Sequence, residues 1–232
     1  MKKGIVFVLH GRKEKFSTKN MKLVDSVIAE LPFAILGKVG LLEGEQQTIE
    51  HAMQELLAEK VKNIIFVPVL LFPATHARED LPERIEAFLH DAVSYQILET
   101  LATTKAVERF LVRTIQAANV EDKRAVLLIA HGTPHYEQPY EQLKKLARTV
   151  EQGVAVDVYT ANHIGQQTYL EFLEDYSKSL LIQPLFLTDG FLTDKIKTTI
   201  QTERGTKDTF LPTLQDSDEL KAAILERVHE VI

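Results

Sequence analysis

"GIVFVLHG" (4–11) and "AVLLIAHG" (125–132) decide the reading of this chain. Each is an unbroken apolar run that stops at a histidine followed by glycine. Such a run fits a strand buried on both faces, as in a parallel sheet covered by helices. Other pairs fall in the same order. "EQQTIE" (45–50) matches "GQQTYL" (165–170), Pro68 matches Pro184, and "LETL" (98–101) matches "LPTL" (211–214). The spacing between partners drifts slowly, as two copies with small deletions would, so the chain reads as an internal duplication.

The first copy alternates strand and helix patterns. Strands are expected at 4–9, 34–42, 63–71 and 94–98. Between them, Met21, Val24, Val27, Ile28 and Leu31 share one helical face, and Ile49, Met53, Leu56 and Leu57 another. The second copy places strands at 125–130, 154–160, 179–187 and 208–214. The expectation is an α/β protein of two similar lobes, each a four-stranded parallel sheet flanked by helices. The lobes are read as 1–120 and 121–232, with the boundary near Asn119–Lys123.

Composition narrows the function classes. The 232 residues carry a net charge of −6 with no basic block, which argues against nucleic acid or an acidic membrane as partner. With no cysteine, thiolate nucleophiles, disulfides and cysteine-ligated clusters are excluded. No apolar run is long enough to span a bilayer. The N-terminal "MKKGIVFVL" (1–9) is too short in its apolar part for a secretory signal and lacks a cleavage site, so a cytoplasmic protein is expected. There is no phosphate loop, dinucleotide fingerprint or nucleophile elbow.

In an open parallel sheet, ligands bind where the loops leave the C-terminal ends of the strands. His10 follows the first strand, Glu43 the second, and His76 comes just after the third. A lone histidine after a strand is more often a turn residue than a ligand, and a lone loop glutamate is usually solvated. Three such groups at one edge shift the balance toward a site. Arg12, Lys13, Lys15, Lys19, Arg78 and Arg84 flank these histidines, and a positive edge on an acidic protein suits a polyanionic ligand. His51, His90 and His229 fall in helical stretches and read as surface residues, while His135 stands in a turn near His131.

"VLHGRK" (8–13), "LEGEQQTIEHAM" (42–53) and "VPVLLFPATHARED" (67–80) together resemble the sirohydrochlorin chelatase family, the class II chelatases. Long bacterial members contain two such halves, so the resemblance covers the whole chain. It implies ATP-independent insertion of a divalent metal into sirohydrochlorin, a polycarboxylate tetrapyrrole, by a lyase-type chelatase without an organic cofactor. Fe²⁺ for siroheme stands ahead of Co²⁺ or Ni²⁺, since no histidine-rich tail is present. The alternatives are cobalt insertion and a non-catalytic metal or tetrapyrrole carrier. Matched by motif, His10 and His76 become metal ligands and catalytic groups, with Glu43 as ligand or proton acceptor. Arg12, Lys13 and Arg78 meet the substrate's carboxylates. A monomer is expected ahead of a homo-oligomer. Two departures stand out. Arg12 directly follows Gly11 where many members have a serine. In the second half, Leu192 aligns with His76 and His163 with Glu43, which predicts a degenerate second site.

Overall fold

The structure, a computed structural model, describes residues 2–11, 18–73, 76–90, 92–118, 125–215 and 217–232, with Thr18, Lys19 and His76 described in their main chain alone. Arg12, Lys13, Lys15 and the expected boundary at 119–123 lie outside the described residues.

Two four-stranded sheets, each wholly parallel, carry the chain. The first contains β1 (Lys3–Leu9), β2 (Ile35–Leu41), β3 (Asn63–Pro68) and β4 (Ser94–Ile97), in the order β2-β1-β3-β4. The second contains β5 (Ala125–Ala130), β6 (Asp157–Asn162), β7 (Leu181–Pro184) and β8 (Thr209–Phe210), in the order β6-β5-β7-β8. The two apolar runs that end in His-Gly are the second strand in from the edge of each sheet. Every residue of β5 is buried, and so is every residue of β1 after Lys3.

Helices α1 (Thr18–Ala29), α2 (Ile49–Ala58) and α3 (Leu81–Phe88) follow β1, β2 and β3. One face of the first sheet offers Val6, Val8, Ile64 and Phe66 to Ile49, Met53 and Leu56 of α2 and to Leu81 and Ile85 of α3. The second sheet repeats this packing with Leu127, Ile129, Leu180 and Ile182. They meet Tyr169 of α6 (Tyr169–Asp175) and Ile196 and Ile200 of α7 (Phe191–Arg204). Thr48 caps α2 by accepting from the His51 amide at 3.3 Å, and Thr168 caps α6 by accepting from the Glu171 amide at 3.3 Å. Among the described residues, no helix is long and apolar enough to cross a membrane.

Several strand boundaries shift: β3 ends at Pro68 and not at 71, and β8 is only Thr209–Phe210 within the expected 208–214. β6 begins at Asp157, not 154, because α5 (Gln138–Val154) runs on until Ala155 turns left-handed at φ 55°. β7 ends at Pro184, although Leu185 still donates to the Ile129 carbonyl at 2.8 Å.

The compact units also depart from the 1–120 and 121–232 division. One unit comprises Met1–Leu101 with Lys221–Ile232, and the other Ala102–Leu220. Each half ends in a helix that joins the other half's unit. α4 (Lys105–Ala117) lies against α5, where Gln116 Nε2 donates to the Gly153 carbonyl at 2.9 Å. α8 (Asp218–His229) and the residues after it are tied to the first unit through three cationic side chains. Lys221 pairs with Glu30 at 2.5 Å, Arg227 Nη2 donates to the Thr100 carbonyl at 2.6 Å, and Lys3 Nζ reaches the Val231 carbonyl at 2.8 Å.

Arg227 is buried, and its removal leaves a carbonyl without this charged donor. Arg227→Met should therefore cost about 1.5–3 kcal/mol in urea unfolding. Amide exchange should rise in β1 to β4 and not in β5 to β7. A uniform rise across both sheets would contradict the assignment of α8 to the first unit.

Candidate active site

The strand order sets the position of the site. From β1 the chain moves to β2 on one side, then returns past β1 to β3 on the other. In an open parallel sheet ligands bind at the C-terminal edge where the strand order reverses, which here falls between β1 and β3. His10 and Glu43 stand at the ends of the adjacent strands β1 and β2, and His76 begins the turn that leads into α3.

Backbone bonds extend the β1–β2 ladder beyond the strands. The Leu42 amide donates to the Leu9 carbonyl at 2.9 Å, and the Glu43 amide to the His10 carbonyl at 2.9 Å. Gly11 makes this approach possible. Its φ is +75°, and a Cβ there would stand 2.3 Å from the Glu43 carbonyl oxygen. The two side chains consequently meet, with His10 Nδ1 3.7 Å from Glu43 Oε2.

His10 Nδ1 also lies 2.9 Å from the Gly11 carbonyl oxygen. A carbonyl can only accept, so this bond puts the proton on Nδ1 and the lone pair on Nε2. That tautomer suits metal ligation through Nε2. Both side chains are partly open to water, at 49% and 38% exposure. The pair can hold a divalent ion, accept a proton, and exchange either with solvent.

His76–Asp80 form a π-helical turn directly before α3. Such turns insert one extra residue into a helix and are frequent at functional sites. The duplication shows one extra residue in the interval that holds the π turn. Pro68 pairs with Pro184 across the strands, while Leu81 and Ile85 of α3 match Ile196 and Ile200 of α7, one residue short of that spacing. The second unit enters α7 without a π turn. Arg78, also in the π turn, is exposed. Among the described residues, no three His, Asp or Glu side chains gather closely enough to hold an ion. The side chains brought together are His10 and Glu43, and His76 enters through its main chain. A groove of about 580 Å³ along β2, lined by Asp25, Lys38, Glu45, His51 and Glu55, includes neither His10 nor Glu43.

The second unit keeps the frame and changes the chemistry. His131 Nδ1 contacts the Gly132 carbonyl at 2.9 Å, and Gly132 has φ +75°. The Ile164 amide donates to the His131 carbonyl at 3.0 Å. Ile164 therefore holds the place of Glu43, and His163 the place of Leu42. This corrects the sequence alignment of His163 with Glu43. That alignment carried the register of the "QQT" segment backward, whereas the second copy has one residue fewer between Asn162 and Thr168 than lies between Leu41 and Thr48. His163 stacks on Tyr169 at 5.9 Å between centroids. Burial, then the charges of His131 and Lys195, hold its pKa below the usual imidazole range. The His131 and His163 rings are 6.3 Å apart.

One residue near the site was misread from sequence. Arg84 was grouped with a cationic rim, but its Nε and Nη2 donate to both carboxylate oxygens of Glu50, at 2.6 and 2.5 Å. Its Nη1 donates to the Leu42 carbonyl at 2.7 Å. The Arg84 hydrogen bonds hold the Glu50 carboxyl at a pKa of about 2. Only the eight-residue spacing from His76 and the helical position of Glu50 hinted at this pairing.

The strand order, the His–Glu pair at the C-terminal edge and the π turn beside it belong to an α/β protein of two related halves. The chain belongs to the CbiX family, whose model matches residues 4–118 and again 125–231. A sirohydrochlorin ferrochelatase of Priestia megaterium is 24% identical over 214 residues, covering 84% of this chain and 76% of that protein. A sirohydrochlorin cobaltochelatase of Methanococcus aeolicus is 29% identical over 80 residues, covering 34% of this chain and 56% of that protein. The structure of SirB from Bacillus subtilis with Fe³⁺ superposes with a TM-score of 0.87 at 22% identity, covering 99% of this chain and 95% of that one.

Glu50 has a folded pKa near 2, below its ordinary value of 4.5. Its pairing therefore contributes stability fully above pH 4.5, and that contribution is lost as pH falls toward 2. The thermal midpoint of Glu50→Gln should trail the parent above pH 5 and converge with it between pH 4.5 and 2. A gap independent of pH would mean that the carboxylate charge is not what stabilises the contact.

Proposed function

We propose that this chain inserts a divalent metal into sirohydrochlorin without ATP, with Fe²⁺ as the metal, at the C-terminal edge of the first sheet. The observation that carries the reading is the His10–Glu43 pair, 3.7 Å apart at the ends of neighbouring strands. Metal insertion exchanges two pyrrole protons for one cation. An imidazole presented through Nε2 ligates a first-row metal and releases it, and a carboxylate beside it ligates or accepts a proton. His76, carried on the π turn, would supply the second imidazole. Arg12, Lys13 and Arg78 would meet the carboxylates of the macrocycle rim, where long cationic side chains attract a polyanion without ligating the metal.

Imidazole and carboxylate do not by themselves select iron over cobalt. The preference for iron is supported by the relatives. Those aligned over more than four-fifths of this chain are named ferrochelatases, and those named cobaltochelatases align over half of it or less. The second unit, with isoleucine in place of Glu43 and leucine or phenylalanine in place of His76, would serve as a structural partner.

Purified protein, sirohydrochlorin and Fe²⁺ mixed without oxygen should give many turnovers in the absorbance spectrum. A change that stops at one equivalent would make the protein a carrier, and faster turnover with Co²⁺ would make it a cobaltochelatase. His10→Ala and His76→Ala should each lower the insertion rate at least ~100-fold with little change in thermal midpoint. His131→Ala should keep most of the activity. Equal losses in all three variants would remove catalysis from the first unit.

A further inference from the structure

The peptide unit between Leu42 and Glu43 is pinned on both sides. Its N–H, from Glu43, donates to the His10 carbonyl at 2.9 Å, and its C=O, from Leu42, accepts from Arg84 Nη1 at 2.7 Å. The same guanidinium grips Glu50, in the first turn of α2, with two further bonds. One side chain thus fixes both ends of the loop from Leu42 to Glu50, which carries Glu43. Arg84 itself sits in α3, continuous with the π turn that begins at His76. The planar fork of arginine matches this task. It satisfies a carboxylate bidentately and keeps a donor for a carbonyl, which lysine cannot do.

The duplication supplies an internal control. Arg84 corresponds to Thr199, by the match of Leu81 and Ile85 to Ile196 and Ile200. Glu50 corresponds to Leu170, by the match of the caps Thr48 and Thr168. Thr199 Oγ1 donates to the Lys195 carbonyl within its own helix at 2.8 Å, and Leu170 is exposed. The second unit folds to the same sheet and keeps the His-Gly turn without any such clamp. The clamp is therefore not needed for the fold of a unit. It is present in the unit that retains the His–Glu pair and absent from the one that has lost it.

We infer that Arg84 is a positioning residue, which holds the 42–43 peptide plane so that the Glu43 carboxylate stays beside His10 and in fixed relation to the π turn of His76. The inference rests on the chelatase reading in that Glu43 is taken to ligate the metal or accept a proton. It assigns Arg84 no contact with the substrate.

The test uses the full chain with Arg84→Ala, Arg84→Lys and Glu50→Gln. In Arg84→Ala, amide exchange at Glu43 should rise about tenfold or more while Ile129 in the other unit is unchanged. Affinity for Co²⁺ alone should weaken about tenfold, with a change in the visible absorption of the bound ion. The kcat for metal insertion should fall about tenfold while KM for sirohydrochlorin stays within about twofold. Lysine keeps the charge but not the planar fork and should recover part of each effect. If Arg84→Ala does not fold, Arg84→Lys and Glu50→Gln carry the same readouts in milder form. A lower thermal midpoint with unchanged Glu43 exchange and Co²⁺ affinity would reduce Arg84 to a structural ion pair. A raised KM with intact kcat would make it a substrate contact. If the parent protein inserts no metal, the chelatase reading falls, and Glu43 exchange still decides whether Arg84 holds that peptide.

Discussion

The hydrogen bond from the Glu43 amide to the His10 carbonyl is the contact on which the arrangement of the site depends. Parallel strands end side by side, but their loops ordinarily diverge at once. Here main-chain bonds continue past the last strand residues, from Leu42 to Leu9 and from Glu43 to His10. The cost is steric. A side chain at position 11 would stand 2.3 Å from the Glu43 carbonyl oxygen, so only glycine fits. The same bond and the same glycine recur at Ile164 and Gly132, where a Cβ would lie 2.2 Å from the Ile164 carbonyl. The zippered turn is thus a property of the duplicated frame. What differs at that place is one residue, glutamate in the first unit and isoleucine in the second.

The other difference between the units lies after the third strand. The first unit has one residue more between Pro68 and the buried positions of α3 than the second has between Pro184 and α7. A π turn absorbs that residue without moving Leu81 and Ile85 off the core. Core packing fixes where the helix must be, and the strand fixes where the chain leaves the sheet. An extra residue between two such fixed points widens the turn, and the residue at its start is His76. The π turn is a local consequence of holding an insertion against a packed core.

Much of this was legible in the sequence, for identifiable reasons. Unbroken apolar runs such as "IVFVL" and "VLLIA" fit strands buried on both faces, and the motif pairs that follow them in the same order gave the duplication. His10 and Glu43 could be placed at one edge because parallel topology puts every strand's C-terminus there. Three features were not legible. The last helix of each half joins the other half's unit, a choice made by surfaces such as those of Gly153 and Arg227 that carry no sequence pattern. The place of His163 was missed by one residue, because motif matching carries a register through a loop whose length has changed. Arg84 was read as part of a charged face, since a lone arginine on a helix does not reveal that a glutamate 34 positions earlier and a strand-end carbonyl converge on it. Composition gave its charge, and only packing gave its partners.

Arg84 and Arg204, each bound to a carboxylate, stand at opposite ends of their sheets. In the second, Arg204, its side chain 6% exposed, binds Asp208, which accepts from the Leu180 amide at 2.9 Å just before β7 begins. That is the N-terminal edge, away from the ligand-binding edge of an open parallel sheet. In the first unit, Arg84 stands at the C-terminal edge, next to a His–Glu pair that remains 49% and 38% exposed. On the chelatase reading this contrast has a physical logic. A metal that must be taken up and then surrendered is best met by donors still in contact with water, because burying them would raise the cost of each exchange. Donors left in water lack surrounding atoms to hold them. Their geometry must then be imposed through the main chain behind them, and a guanidinium locked onto the 42–43 peptide supplies that constraint without occupying the space in front, where metal and macrocycle have to meet.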